Sequence, residues 1–312
     1  MNGNGRGSGR GIADWYQHAG VRSRPRRTLD EEHEAGLRVF PAHLVPHLGH
    51  EAVTALGPAA RDLLLAQHFY QYMQFTTHLE TEVVNRGTVL IAHGRVDLDL
   101  TPNARLDAFK IYCDEGYHAL FSLDLVQQVE RALGIPALPY EFAPRLARLE
   151  RTAATFLPEH GTLGRLLQVV VFETVVTRFL AQIPRDPTVF RAVRAAVDDH
   201  VKDELHHHAY FVRFFKELWA SLSPALRRRV ACAMPHLLTD CLRPDLAPVR
   251  AALQAAGLPT GAAAEVLADR YEEAALAATV REAGRHTLGL CETVGAFDHP
   301  EAREQLHLLG LA

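Results

Sequence analysis

Cysteine is scarce and scattered in this sequence. Cys113, Cys232, Cys241 and Cys291 are the only four in 312 residues, and no two form a CxxC pair. Zinc-ribbon and thioredoxin-type chemistry is thereby excluded, and the pattern predicts buried, reduced thiols. Long apolar runs are missing too, so no transmembrane helix is expected. The N-terminus carries no apolar leader, which argues for a cytoplasmic protein without a membrane partner. No basic stripe lies outside the first residues and the formal net charge is -4, so nucleic acid is not an expected partner. The glycines of residues 1–11 fit no GxGxxG register and follow no strand, so no dinucleotide fingerprint is present. Strand signals are nearly absent; Val169-Val170-Val171 is β-branched but lies inside a long helical pattern.

What the chain does have is a core and many histidines. It is 48% hydrophobic and 22% charged, which excludes a disordered chain. Eighteen histidines raise the expectation of a metal. Residues 1–28, rich in Gly, Arg and Ser, read as a solvated, disordered tail. Residues 29–312 read as one all-α domain. Short helical pieces over 29–57 are broken by Pro41, Pro46 and Gly57, and Pro58 opens a long helix whose apolar stripe passes through Glu80. Thr101-Pro102 starts a helix ending at Leu133 before Gly134. Further helices are predicted at 144–156, 161–183, a long one reaching Leu222, then 224–241, 245–256 and 262–288.

The chemistry concentrates at Asp199-His200-Val201-Lys202-Asp203-Glu204-Leu205-His206-His207. On a helix His200, Glu204 and His207 share one face. A shorter copy stands at Asp114-Glu115-Gly116-Tyr117-His118, so Asp-Glu-x-x-His occurs twice. Glu80 and Glu173 each interrupt an apolar stripe, where an unpartnered carboxylate is costly. Two Glu-x-x-His helices plus one Glu from each of two others are the donor set of a dinuclear carboxylate bundle. In such a site Glu115 and Glu204 bridge, Glu80 and His118 complete one metal, and Glu173 and His207 the other. His200 adds a nitrogen, most simply on the second metal. Asp114 and Asp203 are placed to accept the N–H of a ligand imidazole across the site. His206 and His208 point to other faces and are read as non-ligands. Tyr117 and Tyr210 are read as packing residues with bonded hydroxyls. Arg281 and Arg285, four apart, could clamp a substrate carboxylate or form a surface pair.

In the order Glu80, Glu115-x-x-His118, Glu173, His200-x-x-x-Glu204-x-x-His207 the chain resembles the diiron N-oxygenases of the p-aminobenzoate N-oxygenase type. The resemblance covers roughly 65–290, with the seventh ligand, His200, as its most specific mark. It implies a ferritin-like helical bundle, commonly a homodimer, holding two non-haem iron ions and using O2 as co-substrate. The implied reaction takes an aryl amine through hydroxylamine towards the nitroso or nitro level. Without a nucleotide fingerprint or cluster-type cysteines, an external electron donor (a ferredoxin or reductase) is expected. Other readings stay open: C–H hydroxylation or desaturation of another small or carrier-bound substrate, a ferritin-like iron-binding protein, or an inactive bundle.

Overall fold

In the computed structural model, residues 12–312 are described. The helices that build the bundle and its flank are α1 (Pro58–Leu79), its short continuation α2 (Asn85–Ala92), α3 (Pro102–Leu133), α4 (Ala143–Phe156), α5 (Gly161–Leu180), α6 (Arg191–Ser221) and α7 (Pro224–Leu242). Five shorter ones follow: α8 (Leu246–Ala255), α9 (Thr260–Arg270), α10 (Glu273–Ala283), α11 (Arg285–Thr293) and α12 (Pro300–Leu308). Among the described residues there is no strand, only an isolated bridge between Arg38 and Val189. None of these helices is long and apolar enough to cross a membrane.

The ends of α3 show why the sequence folds this way. Thr101 Oγ1 accepts the Ala104 N–H at 3.1 Å, Pro102 follows in the first turn, and Gly134 closes the helix at φ 64. Helix α6 has no cap of its own. Glu34, far away in sequence, accepts from Arg191 N at 2.6 Å and Ala192 N at 3.0 Å instead.

The α1–α2 pair lies along α3, and α5 lies along α6. Short connections join the partners, as in antiparallel bundles. Apolar residues fill both ends of this bundle. One end packs Leu64, Phe69, Met73, Val126, Val129, Val193 and Val197; the other packs Val84, Ile91, Ile111, Leu167, Phe211 and Phe215. Between them lies a buried polar layer, built by the turn after α1 and by α3, α5 and α6.

Four expectations need correction. The predicted helix 262–288 is three helices, interrupted at Tyr271 and Gly284, and α12 was not foreseen. The chain between Leu79 and Asn85 is not regular α-helix but a π-helical turn, Glu80–Val84. The thiols are not uniformly buried: Cys113 is exposed and Cys232 half-buried. Lastly, residues 12–28 do not behave as a solvated tail. They form short turns against α3 and α6, with Ile12, Ala19 and Gly20 buried. Composition misled there, because the contacts are polar: Arg26 forks onto Asp124 at 2.9 and 2.6 Å, and Arg27 reaches Asp199 at 2.6 Å. Residues 1–11, the rest of the predicted tail, lie outside the described residues.

Candidate metal centre

The polar layer gathers every candidate ligand. Glu80 comes from the π-helical turn, Glu115 and His118 from α3, Glu173 from α5, and His200, Glu204 and His207 from α6; all are buried. Donor atoms of Glu80, Glu115, His118, His200 and Glu204 lie within 4.8 Å of one another, and so do those of Glu115, Glu173, Glu204 and His207. Glu115 and Glu204 belong to both sets, the arrangement two bridged metals require. His200 falls in the first set, not the second as expected. It stands one turn before Glu204 on α6, whereas His207 follows Glu204, so the two histidines straddle Glu204. The His200 Nε2 is 3.5 Å from Glu80 Oε1, and its ring centroid is 3.9 Å from that of His118.

The electrostatics of the layer fit cations. Both carboxylate oxygens of Glu173, Glu115 Oε1 and His207 Nδ1 are buried with no hydrogen-bond partner. His207 Nδ1 approaches Glu115 Oε1 to 2.9 Å, but not in hydrogen-bonding geometry. Each such group costs about 1–3 kcal/mol, more if charged. Burial, reinforced by Glu80 and Glu204, holds the Glu115 carboxyl well above the usual range. Glu173 is pushed up likewise by burial, then by Glu204 and Glu115. Burial opposes the imidazolium of His207, yet Glu115 and Glu204 outweigh it and hold that ring well above its ordinary value. Left to themselves, these groups would retain protons. Divalent cations would displace them and satisfy the orphaned atoms.

Two aspartates support the rings from the opposite helix. Asp203 Oδ2 of α6 faces His118 Nε2 of α3 at 3.3 Å, and Asp114 Oδ2 of α3 faces His207 Nε2 of α6 at 3.2 Å. A carboxylate that accepts the Nε2–H fixes the tautomer and leaves Nδ1 free as a donor. Burial works against the Asp203 anion, but His118 holds its carboxyl below the usual range.

Comparison with known proteins is consistent with this geometry. A family model, P-aminobenzoate N-oxygenase AurF, matches residues 26–295. The chain belongs to this family. One relative is the 4-aminobenzoate N-oxygenase of Streptomyces thioluteus, 25% identical over 305 residues, covering 94% of this chain and 89% of that protein. As a member of the P-aminobenzoate N-oxygenase family, the chain is an oxygenase with the ferritin-like helical fold.

The family's chemistry needs room for an organic substrate. A cavity of about 220 Å³ abuts the metal centre, lined by Tyr72, Phe75, Thr76, Glu80, Tyr140 and Arg145, among others. Burial, with Glu80 and Glu204 adding to it, raises the Tyr72 phenol. Arg145 is the buried cation of this wall. Its Nη1 donates to the Asp240 and Cys241 carbonyls at 3.2 and 2.7 Å, its Cζ lies 4.9 Å from the Phe75 ring centroid, and its Nε has no partner. Nothing in the spacing around Arg145 marks it as a cavity residue.

Arg281 and Arg285 do not fill the role considered for them. Both are exposed, they stand on successive helices separated by Gly284, and neither lines the cavity. Arg281 Nη1 donates to the Ala312 carbonyl at 3.3 Å. His208 Nδ1–H donates to the Glu173 carbonyl at 3.2 Å, and His206 joins neither donor set. Tyr210 OH donates to the Ala104 carbonyl at 3.0 Å, and Tyr117 packs edge-on against Phe121.

Proposed function

We propose that the chain is a dinuclear iron N-oxygenase that oxidises an aryl amine, with O2 as co-substrate and electrons from a donor outside the chain. The observation that supports this most directly is the pair of overlapping donor sets, buried and rich in carboxylates, beside an apolar cavity. In this reading Glu80, His118 and His200 would hold one iron, Glu173 and His207 would hold the other, and Glu115 and Glu204 would be shared between them. Mixed oxygen and imidazole donors suit iron, and the bound irons would supply dioxygen activation.

The chain's own residues do the rest. Asp114 and Asp203 hold a proton at Nε2 of His207 and His118. Tyr72 and Phe75 flank the substrate ring and exclude water. Arg145 offers its unpartnered Nε–H to an acidic group on the ring, which leaves the amine free to face Glu80. At about 220 Å³ the cavity is below the roughly 300–1,000 Å³ of drug-sized sites. That suits a single ring better than a carrier-bound acyl chain. We further infer a homodimer joined through the outer face of α3.

The test is turnover of the iron-loaded, reduced protein with 18O2 and 4-aminobenzoate. Label in a hydroxylamine, nitroso or nitro product is expected. Iron oxidation with no organic product from any aryl amine would move the protein to the iron-binding reading. Arg145→Met should raise KM for 4-aminobenzoate by about 10–100-fold, the worth of a charge-assisted hydrogen bond. KM for 4-aminobenzamide should change little. Equal losses on acid and amide would reduce Arg145 to a cap on the end of α7.

A further inference from the structure

The segment 12–29 is held to the bundle in an unusual way. It buries few apolar side chains, and its ties run mainly to polar side chains of α3 and α6. Lys110 Nζ donates to the Ile12 carbonyl at 3.1 Å, and Leu29 N donates to Gln128 Oε1 at 2.8 Å. Between these anchors, two of its N–H groups land on the two aspartates that support the ligand rings. Trp15 Nε1 donates to both oxygens of Asp114, at 2.9 and 2.8 Å. The Gly20 amide sits 3.1 Å from each oxygen of Asp203. A Cβ at position 20 would stand 2.6 Å from Asp203 Oδ2, so any larger residue there would push that carboxylate aside. Trp15 and Gly20 also lie outside the span matched by the family, 26–295.

We propose that residues 12–29 are a positioning strap for the metal centre. Trp15 acts through Asp114 on His207, and Gly20 acts through Asp203 on His118. Each relay runs from a strap N–H to a carboxylate and on to an imidazole Nε2–H. A carboxylate pinned by a donor on its far side cannot turn away from the ring. The ring therefore keeps its tautomer and presents Nδ1 to the metal. The relays serve different donor sets: Trp15 serves the set of Glu173 and His207, and Gly20 the set of Glu80, His118 and His200. The proposal rests on the metal reading of the layer given above.

Cobalt(II) titration of the full-length protein tests it without turnover. Trp15→Phe keeps the ring and removes the donor. Gly20→Ala drives a Cβ into Asp203. Two cobalt ions should bind the unaltered protein. Each variant should weaken one of them by about 10-fold, the lower end of what loss of an outer-shell partner costs, and shift the visible d–d bands of that ion. The two variants should affect different ions. Trp15→His, which restores an N–H, should recover affinity. Thr101→Ala serves as the control: it removes the α3 cap and lowers Tm without touching either relay. If the strap variants lose affinity only as this control does, or bind both ions with unaltered affinity and spectrum, the positioning role is overturned. An unaltered protein that binds no cobalt would instead sink the metal reading itself.

Discussion

Glu173 shows what the site costs at the scale of one residue. Its two carboxylate oxygens are buried without a partner, and burial with Glu204 and Glu115 holds its carboxyl well above the usual range. An apolar side chain of similar volume removes that cost. Glu173→Leu is therefore expected to stabilise the cation-free protein by about 1–3 kcal/mol and to lower metal stoichiometry from two to one. Thermal melts in chelator and metal analysis check the two halves; a lower cation-free Tm would contradict the argument. His47 gives a pH dependence of known sign. Burial lowers its pKa from 6.5 to about 4. Between these values the unfolded chain takes up a proton that the native ring refuses, so stability is full above pH 6.5 and falls as pH drops towards 4. The loss from this group is about 2 kcal/mol between pH 7 and pH 5. His47→Gln should flatten the slope of urea-melt stability over that interval, and an unchanged slope would show that other groups carry it.

At the scale of elements, the π-helical turn is the feature that aims Glu80. Residues 80–84 are wound more loosely than the α-helices on either side, with Asn85 N donating to the Glu80 carbonyl. Deleting Thr81, an exposed residue of this turn, should let the segment rewind as α-helix. Each residue removed rotates the two halves by about 100° and shifts them 1.5 Å. Glu80 would then lose its aim at the first donor set. Circular dichroism should stay helical while one metal is lost; retention of both would mean that the turn is incidental. The sequence could not show this turn, because a period-3.6 stripe continues through residues 80–84 whichever way they wind. Other elements were plain. Pro102 and Gly134 mark the ends of α3, and two Asp-Glu-x-x-His copies mark where it and α6 meet. The side of the site that His200 joins was hidden, since it depends on how α6 lies against Glu80. The strap was hidden because its ties are scattered polar contacts from an Arg-rich segment with no periodicity.

At the scale of the whole molecule, the outer face of α3 is unlike a monomer surface. Leu106, Phe109, Leu120 and Leu123 are 46%, 40%, 64% and 44% exposed. With exposed Cys113 and Gly116 they follow a strict alternation of three and four residues, the seam of a helix pair. In the proposed homodimer a second copy of the chain would supply a matching seam, and a two-fold axis would make the contact self-complementary. Gly116 sits mid-seam, and a Cβ built on it meets nothing within 4 Å. Two copies of α3 could therefore approach most closely there. Glu115 and His118 belong to the buried face of the same helix, so pairing would brace the metal layer from outside without entering it. Light scattering should give twice the chain mass of 34.6 kDa. Leu120→Glu places like charges across the seam and should give the single-chain mass with metal content unchanged. A wild-type monomer at micromolar concentration, or a variant that stays paired, would place the dimer contact elsewhere or remove it. A monomeric variant that also loses metal would show that α3 needs its partner to hold Glu115 and His118 in place.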